Sequence, residues 1–153
     1  MKKRIMGAAA AVMMLASLTA CGAKEPSKAI SEITKAVVDS GIKFPEMIEV
    51  NQKNFEIKYE IGDDVYSDFS VYWTTGADAD EVCIIKAKEN KAEDVKKAVE
   101  GRKQAQMDVF ESYAPEQYDK LKNSEVKTEG DYVYWVCTED DSKAEDTLLS
   151  YFK

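Results

Sequence analysis

The sequence predicts a single α+β domain, in which an antiparallel sheet of about four strands carries helices packed mainly on one face. Two segments of strand-like composition form a pair in the middle of the chain, and a second pair lies near its end. Each pair is followed by segments whose apolar residues recur at helical spacing. The chain of 153 residues has the usual size of one domain. The predicted order of elements is therefore α-β-β-α-α-β-β-α.

The first helix is predicted over residues 28–40, where apolar residues recur every three or four positions. Ser27 can cap its start, and Gly41 can end it. The connector that follows contains Pro45, which breaks regular structure. Residues 51–60 stay open between strand and helix, because their apolar residues alternate over a segment short enough for either.

Two strands are predicted at residues 66–75 and 81–88, joined by the turn sequence GADAD. The first strand is rich in β-branched and aromatic residues, which favour extended structure. The second strand is apolar on both faces, as is typical of a strand in the middle of a sheet.

The longest helix is predicted over residues 92–112. Its apolar face is formed by Val95, Val99, Val109, Phe110 and Tyr113. Pro115 then opens a short helix, because proline suits the first helical turn. A hairpin turning at residues 129–131 follows. The last helix begins near Ser142, which forms a capping-box pattern with Glu145.

The N-terminus has the pattern of a secretory signal. The basic start MKKR precedes an apolar run, Ile5–Leu18, that is short for a transmembrane helix. The sequence LTAC at residues 18–21 resembles the lipobox of bacterial lipoproteins. That resemblance implies removal of residues 1–20 as a signal peptide and attachment of diacylglycerol to Cys21. The alternative is an ordinary cleaved signal with a chance cysteine.

Lipidation would hold the protein at the outer face of the cytoplasmic membrane in a Gram-positive-type envelope. Residues 21–27 would be the lipidated cysteine and a tether, in which six residues reach about 20 Å when extended. Residues 28–153 would form the domain, close to the membrane surface.

Composition restricts the classes of function. The net charge of −8 argues against a nucleic-acid partner, because phosphates require a basic surface. The chain contains no histidine, and this removes the commonest general base and the usual zinc ligands. No nucleophile elbow, P-loop or dinucleotide-binding fingerprint occurs. We therefore predict no catalytic residue, no metal and no cofactor; the segments GDD and GADADE are expected to be solvated turns.

Three segments resemble an uncharacterised family of small Gram-positive bacterial lipoproteins, a domain of unknown function. They are ADEVCIIKAK, EGRKQAQMDVFESYAPEQYDKLKN and GDYVYWVCTED, at residues 79–88, 100–123 and 130–140. The resemblance implies an envelope lipoprotein with one α+β domain and no assigned activity, ligand or functional residue. It also implies small or aliphatic residues at positions 83 and 137, so the two cysteines there are peculiar to this chain.

Arg102 is the most informative single residue, because it falls in the middle of the apolar stripe of the long helix, beside Gln106. A buried guanidinium must be paired, and Glu81 is the candidate partner. The pair is expected to be a structural ion pair, or else Arg102 anchors a carboxylate or sulfate group of a ligand.

Aromatic residues crowd the predicted strands. Because neighbours in a strand point to opposite faces, only part of this set can lie in the core. Tyr72, Tyr132 and Tyr134 are therefore candidates for an uncovered aromatic face that binds a sugar, a peptide or a partner. Ordinary enrichment of tyrosine in strands is the alternative.

Cys83 and Cys137 lie in the second strands of the two hairpins. Outside the membrane they could form a disulfide if their Cα atoms came within about 7 Å. We expect two buried free thiols instead, which behave as small apolar side chains.

These observations favour a membrane-anchored, non-catalytic domain that binds an unknown envelope protein or component. A receptor for a small carboxylate, sugar or peptide is the second hypothesis, and an unrecognised enzyme is the third.

Overall fold

Ten elements of secondary structure form the described part of the chain, residues 24–153, in a computed structural model. The helices are α1 (Ile30–Val38), α2 (Gln52–Tyr59), α3 (Ala92–Phe110), α4 (Pro115–Asn123) and α5 (Asp141–Leu149). The strands are β1 (Met47–Glu49), β2 (Tyr66–Thr74), β3 (Glu81–Ala87), β4 (Val126–Glu129) and β5 (Tyr132–Cys137). None of these helices combines the length and apolar character needed to span a membrane. The signal segment 1–20 and Cys21 lie outside the described residues.

The five strands form one antiparallel sheet in the order β1-β2-β3-β5-β4. This confirms the α+β class. The sheet has one strand more than the four or so predicted, because β1 adds three residues at the edge beside β2. So short a strand leaves no alternation in the sequence, and the nearby Pro45 suggested a connector instead.

The segment left open between strand and helix is helix α2. Asn51 caps it, since its side chain accepts a hydrogen bond from the backbone N–H of Asn54 at 3.0 Å. Phe55 and Tyr59 lie four positions apart and are both buried. The cap and this one-turn spacing outweigh the alternation of apolar residues.

Helices cover both faces of the sheet. On one face, α2, α3 and α4 form a core with strand residues such as Val71, Cys83 and Trp135. On the other, α1 and α5 pack on Val82 and Ile84 of β3. Three of the five helices thus share a face, as predicted, and α1 and α5 form a second layer on the other. A strand apolar on both sides, as β3 is, requires a cover on each.

The two ends of the described chain meet beside the start of β5. Pro26 forms an isolated β-bridge with Phe152. Tyr132 packs edge-on against Phe152, with 5.4 Å between ring centroids, and its hydroxyl donates to Glu25 Oε2 at 2.9 Å. Residues 25–27 therefore belong to the domain and not to the predicted tether.

Candidate functional site

Two consecutive buried carboxylates mark the start of β3. Asp80 is 1% exposed and Glu81 is 0% exposed. Each pairs with a base from a different helix, Glu81 with Arg102 of α3 and Asp80 with Lys120 of α4. Because an unpaired buried charge is strongly unfavourable, the two pairs hold both helices against this end of the sheet.

Glu81 accepts hydrogen bonds from three side chains. Arg102 Nη2 lies 2.8 Å from Oε2, the Tyr59 hydroxyl donates to Oε1 at 2.6 Å, and Gln106 Nε2 donates to Oε2 at 3.1 Å. The structure thus brings together the two residues that the sequence singled out, and Gln106 shares their contact. Burial alone would lower the pKa of Arg102, because it disfavours the charged form. The attraction and hydrogen bonds of Glu81 have the larger effect, so the pKa of Arg102 is raised.

Glu81 occupies one edge of the Arg102 guanidinium, formed by Nε and Nη2. Within residues 24–153, Nη1 makes no hydrogen bond, and the side chain keeps 13% of its surface exposed. Arg102 Cζ lies 5.1 Å from the centroid of the Trp73 ring, within cation–π range. The second edge of the guanidinium, formed by Nη1 and Nη2, therefore remains open to a ligand.

A groove of about 490 Å³ lies at this edge, and we call it the Trp73 groove. The end of β2, the turn after it and the C-terminal half of α3 form its walls. Its lining includes Lys58, Trp73, Arg102, Gln106, Val109 and Tyr113. Val109, in the last turn of α3, is 54% exposed, and Tyr113, three residues beyond the end of α3, is 59% exposed. Apolar side chains at this end of α3 thus reach the surface.

Ile48 of β1 adds a further apolar side chain beside the groove. It is 42% exposed and is the cross-strand partner of Trp73 in the β1–β2 register. Directly opposed residues of antiparallel strands project from the same face of a sheet. Exposed apolar surface is therefore concentrated around Trp73.

The segment GADAD is not the solvated turn that the sequence predicted. Asp80 is buried with its Oδ2 only 2.7 Å from Lys120 Nζ. Gln117 Oε1 accepts a hydrogen bond from the backbone N–H of Ala79 at 2.9 Å, so α4 covers the turn. Sequence reasoning missed Lys120. One signal was present, since Asp80 stands directly before a strand buried on both faces.

A second depression, which we call the acidic cleft, lies between α4 and the start of α5. Its volume is about 490 Å³, and its lining includes Glu116, Lys120, Thr138, Glu139, Asp140 and Asp141. Asp141 Oδ1 accepts the backbone N–H of Thr138 at 2.6 Å. Partial burial raises the pKa of Asp141 to about 6. Sequence reasoning did not find this cleft, because α4 and α5 are brought together only by the fold.

A comparison with protein families matches residues 40–138 to a domain of unknown function, DUF4358. The match covers more than half of the chain. The protein belongs to the DUF4358 family. No curated protein and no solved structure matches the chain. The finding confirms the resemblance to a domain of unknown function and assigns no activity to it.

The matched range of the DUF4358 domain contains both buried ion pairs and the whole lining of the Trp73 groove. It ends at Thr138, one residue beyond β5, and leaves α1 and α5 outside. The acidic cleft therefore lies at the C-terminal border of the match, with Thr138 inside it and Asp141 beyond it.

The predicted aromatic face of the DUF4358 domain is not open. Tyr132 is 4% exposed and Tyr134 is 5% exposed, because α1 and α5 cover this side of β5. Burial raises the pKa of Tyr134, whose hydroxyl lies 3.3 Å from Glu145 Oε1. Tyr72 is half-buried. The prediction of an uncovered face is wrong, and the partly exposed aromatic residues Trp73 and Tyr113 lie in the groove on the other side.

Cys83 and Cys137 are buried free thiols. They lie on adjacent strands, but Cys83 stands opposite Trp135 and Cys137 stands opposite Glu81. The two cysteines are therefore diagonal neighbours, and diagonal pairs are about 7–8 Å apart, beyond disulfide geometry. Burial raises the pKa of Cys83 to about 12, so its thiol stays protonated.

Within residues 24–153, no group of three or more carboxylate or thiol side chains is arranged to hold a metal ion. The carboxylates of the GDD turn, Asp63 and Asp64, are exposed.

Proposed function

We propose that the protein is a lipoprotein at the outer face of the cytoplasmic membrane, and that its DUF4358 domain binds an envelope protein through the Trp73 groove. The observation that carries the proposal is the exposed apolar surface of Val109 and Tyr113 beside Trp73 and Arg102. Aromatic and arginine side chains are enriched where proteins bind one another.

The lipobox-like sequence before Cys21 supports the anchor. Since Glu25 already contacts the domain, only four residue steps separate it from Cys21, and these reach at most about 14 Å. A lipid on Cys21 would thus hold one end of the sheet against the membrane, the end where Pro26 and Phe152 meet beside Tyr132.

The position of the groove fits such an anchor. β3 begins with Glu81 beside the groove and ends at Ala87, near the point where the two ends of the described residues meet. Its seven residues span about 20 Å. The groove would then face away from the membrane, where a partner can reach it.

A non-catalytic role fits the chemistry beside the groove. The buried Glu81 already accepts hydrogen bonds from Arg102, Tyr59 and Gln106, so it is not free to act as a general base. The chain also offers no histidine for that task.

A small-ligand receptor is the second candidate, and the open edge of Arg102 favours it. An arginine edge with two N–H groups suits a carboxylate. Binding of a small carboxylate would change the fluorescence of Trp73, which stacks near the guanidinium.

Cross-linking on intact cells, followed by mass spectrometry, tests the binding proposal. We expect a discrete partner for the wild type and its loss in the double variant Val109→Ser, Tyr113→Ser. Ile57→Ser is the matched control, because Ile57 is 60% exposed but does not line the groove. Equal recovery of the partner with the double variant would contradict the proposal, as would recovery of no partner above an unrelated acidic lipoprotein.

The anchor is tested separately with Cys21→Ala. We expect the variant to leave the membrane fraction, while wild-type peptides beginning at Cys21 carry the mass of diacylglycerol. Retention of an unmodified Cys21 in a released protein would contradict lipidation.

A further inference from the structure

A second groove adjoins the Trp73 groove at Arg102. It has a volume of about 340 Å³ and lies between the C-terminal end of α2 and α3, and we call it the Gly101 groove. It is open at Gly101, where an added Cβ would meet nothing within 4 Å. The two grooves share two lining residues, Lys58 and Arg102. Two basic side chains therefore stand where the grooves meet, a place that we call the junction.

The open edge of Arg102 can be reached from the junction. Its Nη1 makes no hydrogen bond to the described residues, because Glu81 is bound by Nε and Nη2. Within residues 24–153, the buried side-chain atoms that lack a hydrogen-bond partner are Asp80 Oδ1 and Thr138 Oγ1, and Nη1 is not among them. Nη1 is therefore in contact with solvent, and a ligand oxygen can take the place of water there.

Lys58 adds a second positive charge at the junction. Its side chain is exposed, and its ammonium group forms no ion pair within residues 24–153. The acidic side chain in the lining of the Trp73 groove is Asp78, whose Oδ1 already accepts a hydrogen bond from Gln117 Nε2 at 3.2 Å. Glu60 and Asp94 line only the Gly101 groove. The lining of the Trp73 groove thus has two bases for one acid, in a chain with 29 acidic and 21 basic residues.

We propose that the partner protein places an aspartate or glutamate side chain at the junction, with an apolar residue beside it in the Trp73 groove. The carboxylate accepts hydrogen bonds from Arg102 Nη1 and Nη2, whose planar arrangement matches its two oxygens, and Lys58 contributes a further positive charge. This proposal rests on the proposed function and names the chemical group that the groove recognises.

The apolar surface beside the junction assigns the acidic group to a protein. Val109 and Tyr113 are more than half exposed, and a small free carboxylate bound at Arg102 would leave both in water. An acidic residue with an apolar neighbour covers them and the Trp73 ring at the same time.

The probe is the blocked dipeptide N-acetyl-leucyl-glutamyl amide, titrated into the ¹⁵N-labelled full-length chain in a non-ionic detergent and followed by NMR. The chain has two arginines, Arg4 and Arg102, and two tryptophans, Trp73 and Trp135, so its side-chain N–H signals of these types are few. We expect saturable shifts of the Arg102 Nε–H and Trp73 indole signals, whereas the signal of the fully buried Trp135 stays in place. The glutaminyl peptide, which has the same shape without the charge, is expected to bind about tenfold more weakly.

Lys58→Gln is the decisive variant, because Lys58 is exposed and its replacement leaves the Glu81 pair intact. We expect the variant to fold and to bind the glutamyl peptide about fivefold more weakly, with unchanged affinity for the glutaminyl peptide. Lys53→Gln is the matched control, because it makes the same change of charge at an exposed position of α2 that lines neither groove. It is expected to bind both peptides as the wild type does.

Four results would overturn the proposal. They are the absence of a saturable shift with the glutamyl peptide, equal affinity for the two peptides, unchanged affinity in Lys58→Gln, and binding of free acetate as tightly as the glutamyl peptide. The proposed function is judged separately, by recovery of a partner from intact cells. Recovery of that partner together with equal affinity for the two peptides would contradict the acidic group alone.

Discussion

At the scale of single residues, the fully buried Glu81 depends on its neighbours. Its charge is compensated by Arg102, and its oxygens are satisfied by Arg102, Tyr59 and Gln106. An intact buried ion pair contributes little net stability. Removing one partner is strongly destabilising, because it leaves an uncompensated charge in the interior.

Arg102→Ala is therefore expected to lower the free energy of unfolding by about 3–5 kcal/mol. Urea unfolding followed by tryptophan fluorescence measures the loss. Lys97→Ala is the control on the same helix, because Lys97 is exposed and its removal should change stability by under about 0.5 kcal/mol. If the free energy of unfolding of Arg102→Ala were within about 1 kcal/mol of the wild-type value, a difference on the order of the experimental error, Glu81 would not need this partner.

The two buried ion pairs differ in how far the sequence reveals them. Arg102 could be recognised because a charged residue stands in the middle of an apolar helical stripe, where it must have a partner. Lys120 could not, because its helix is polar on most positions and its partner Asp80 lies in a segment of turn-like composition. The burial of Asp80 is indicated only by the buried strand that follows it, and its pairing with Lys120 depends on the packing of α4 over the turn, which no local pattern encodes.

At the scale of secondary-structure elements, long segments were predictable and short ones were not. α3 is long enough for its helical period to be visible, and β2 and β3 are long enough for their strand-like composition to be visible. β1 has three residues, and its pairing with β2 is a tertiary contact. α2 has alternating apolar residues that imitate a strand, and only the Asn51 cap and the spacing of its two buried aromatic residues identify it as a helix.

Replacing two glycines by alanine is expected to change the stability in opposite directions, because one lies in a turn and the other in a helix. Gly130, in the β4–β5 turn, has φ +59°, a left-handed conformation that is unfavourable for residues with a Cβ. Gly101 lies inside α3, and a Cβ there would meet nothing within 4 Å.

Gly130→Ala is expected to lower the free energy of unfolding by about 1 kcal/mol, and Gly101→Ala to raise it by about 0.5–1 kcal/mol. The urea midpoints at unchanged m-value give both changes. Shifts of the same sign in the two variants would contradict the assignment of turn and helix.

At the scale of the whole molecule, the sheet has a terminal end and a groove end. The two ends of the described chain meet at the terminal end, whereas both buried ion pairs, the Trp73 groove and the acidic cleft lie toward the groove end. The predicted anchor at Cys21 would join the terminal end to the membrane. The Trp73 groove would then point away from the membrane.

The second layer of helices could be inferred only in part from the sequence. The apolar faces of β3 were visible and required cover on both sides. An amphipathic helix does not reveal which face of a sheet it covers, however, so the positions of α1 and α5 could not be read from their patterns. Their packing on β5 is what buries Tyr132 and Tyr134 and closes the predicted aromatic face.

Site-specific photo-cross-linking on intact cells tests the central claim most directly. A photoreactive phenylalanine analogue replaces Tyr113 in the groove or, as the control, Ile57 on the exposed side of α2; the two side chains are 59% and 60% exposed. We predict that position 113 forms a discrete adduct with one envelope protein and that position 57 does not. Adducts of equal yield at both positions, or none at position 113, would contradict a binding role for the Trp73 groove.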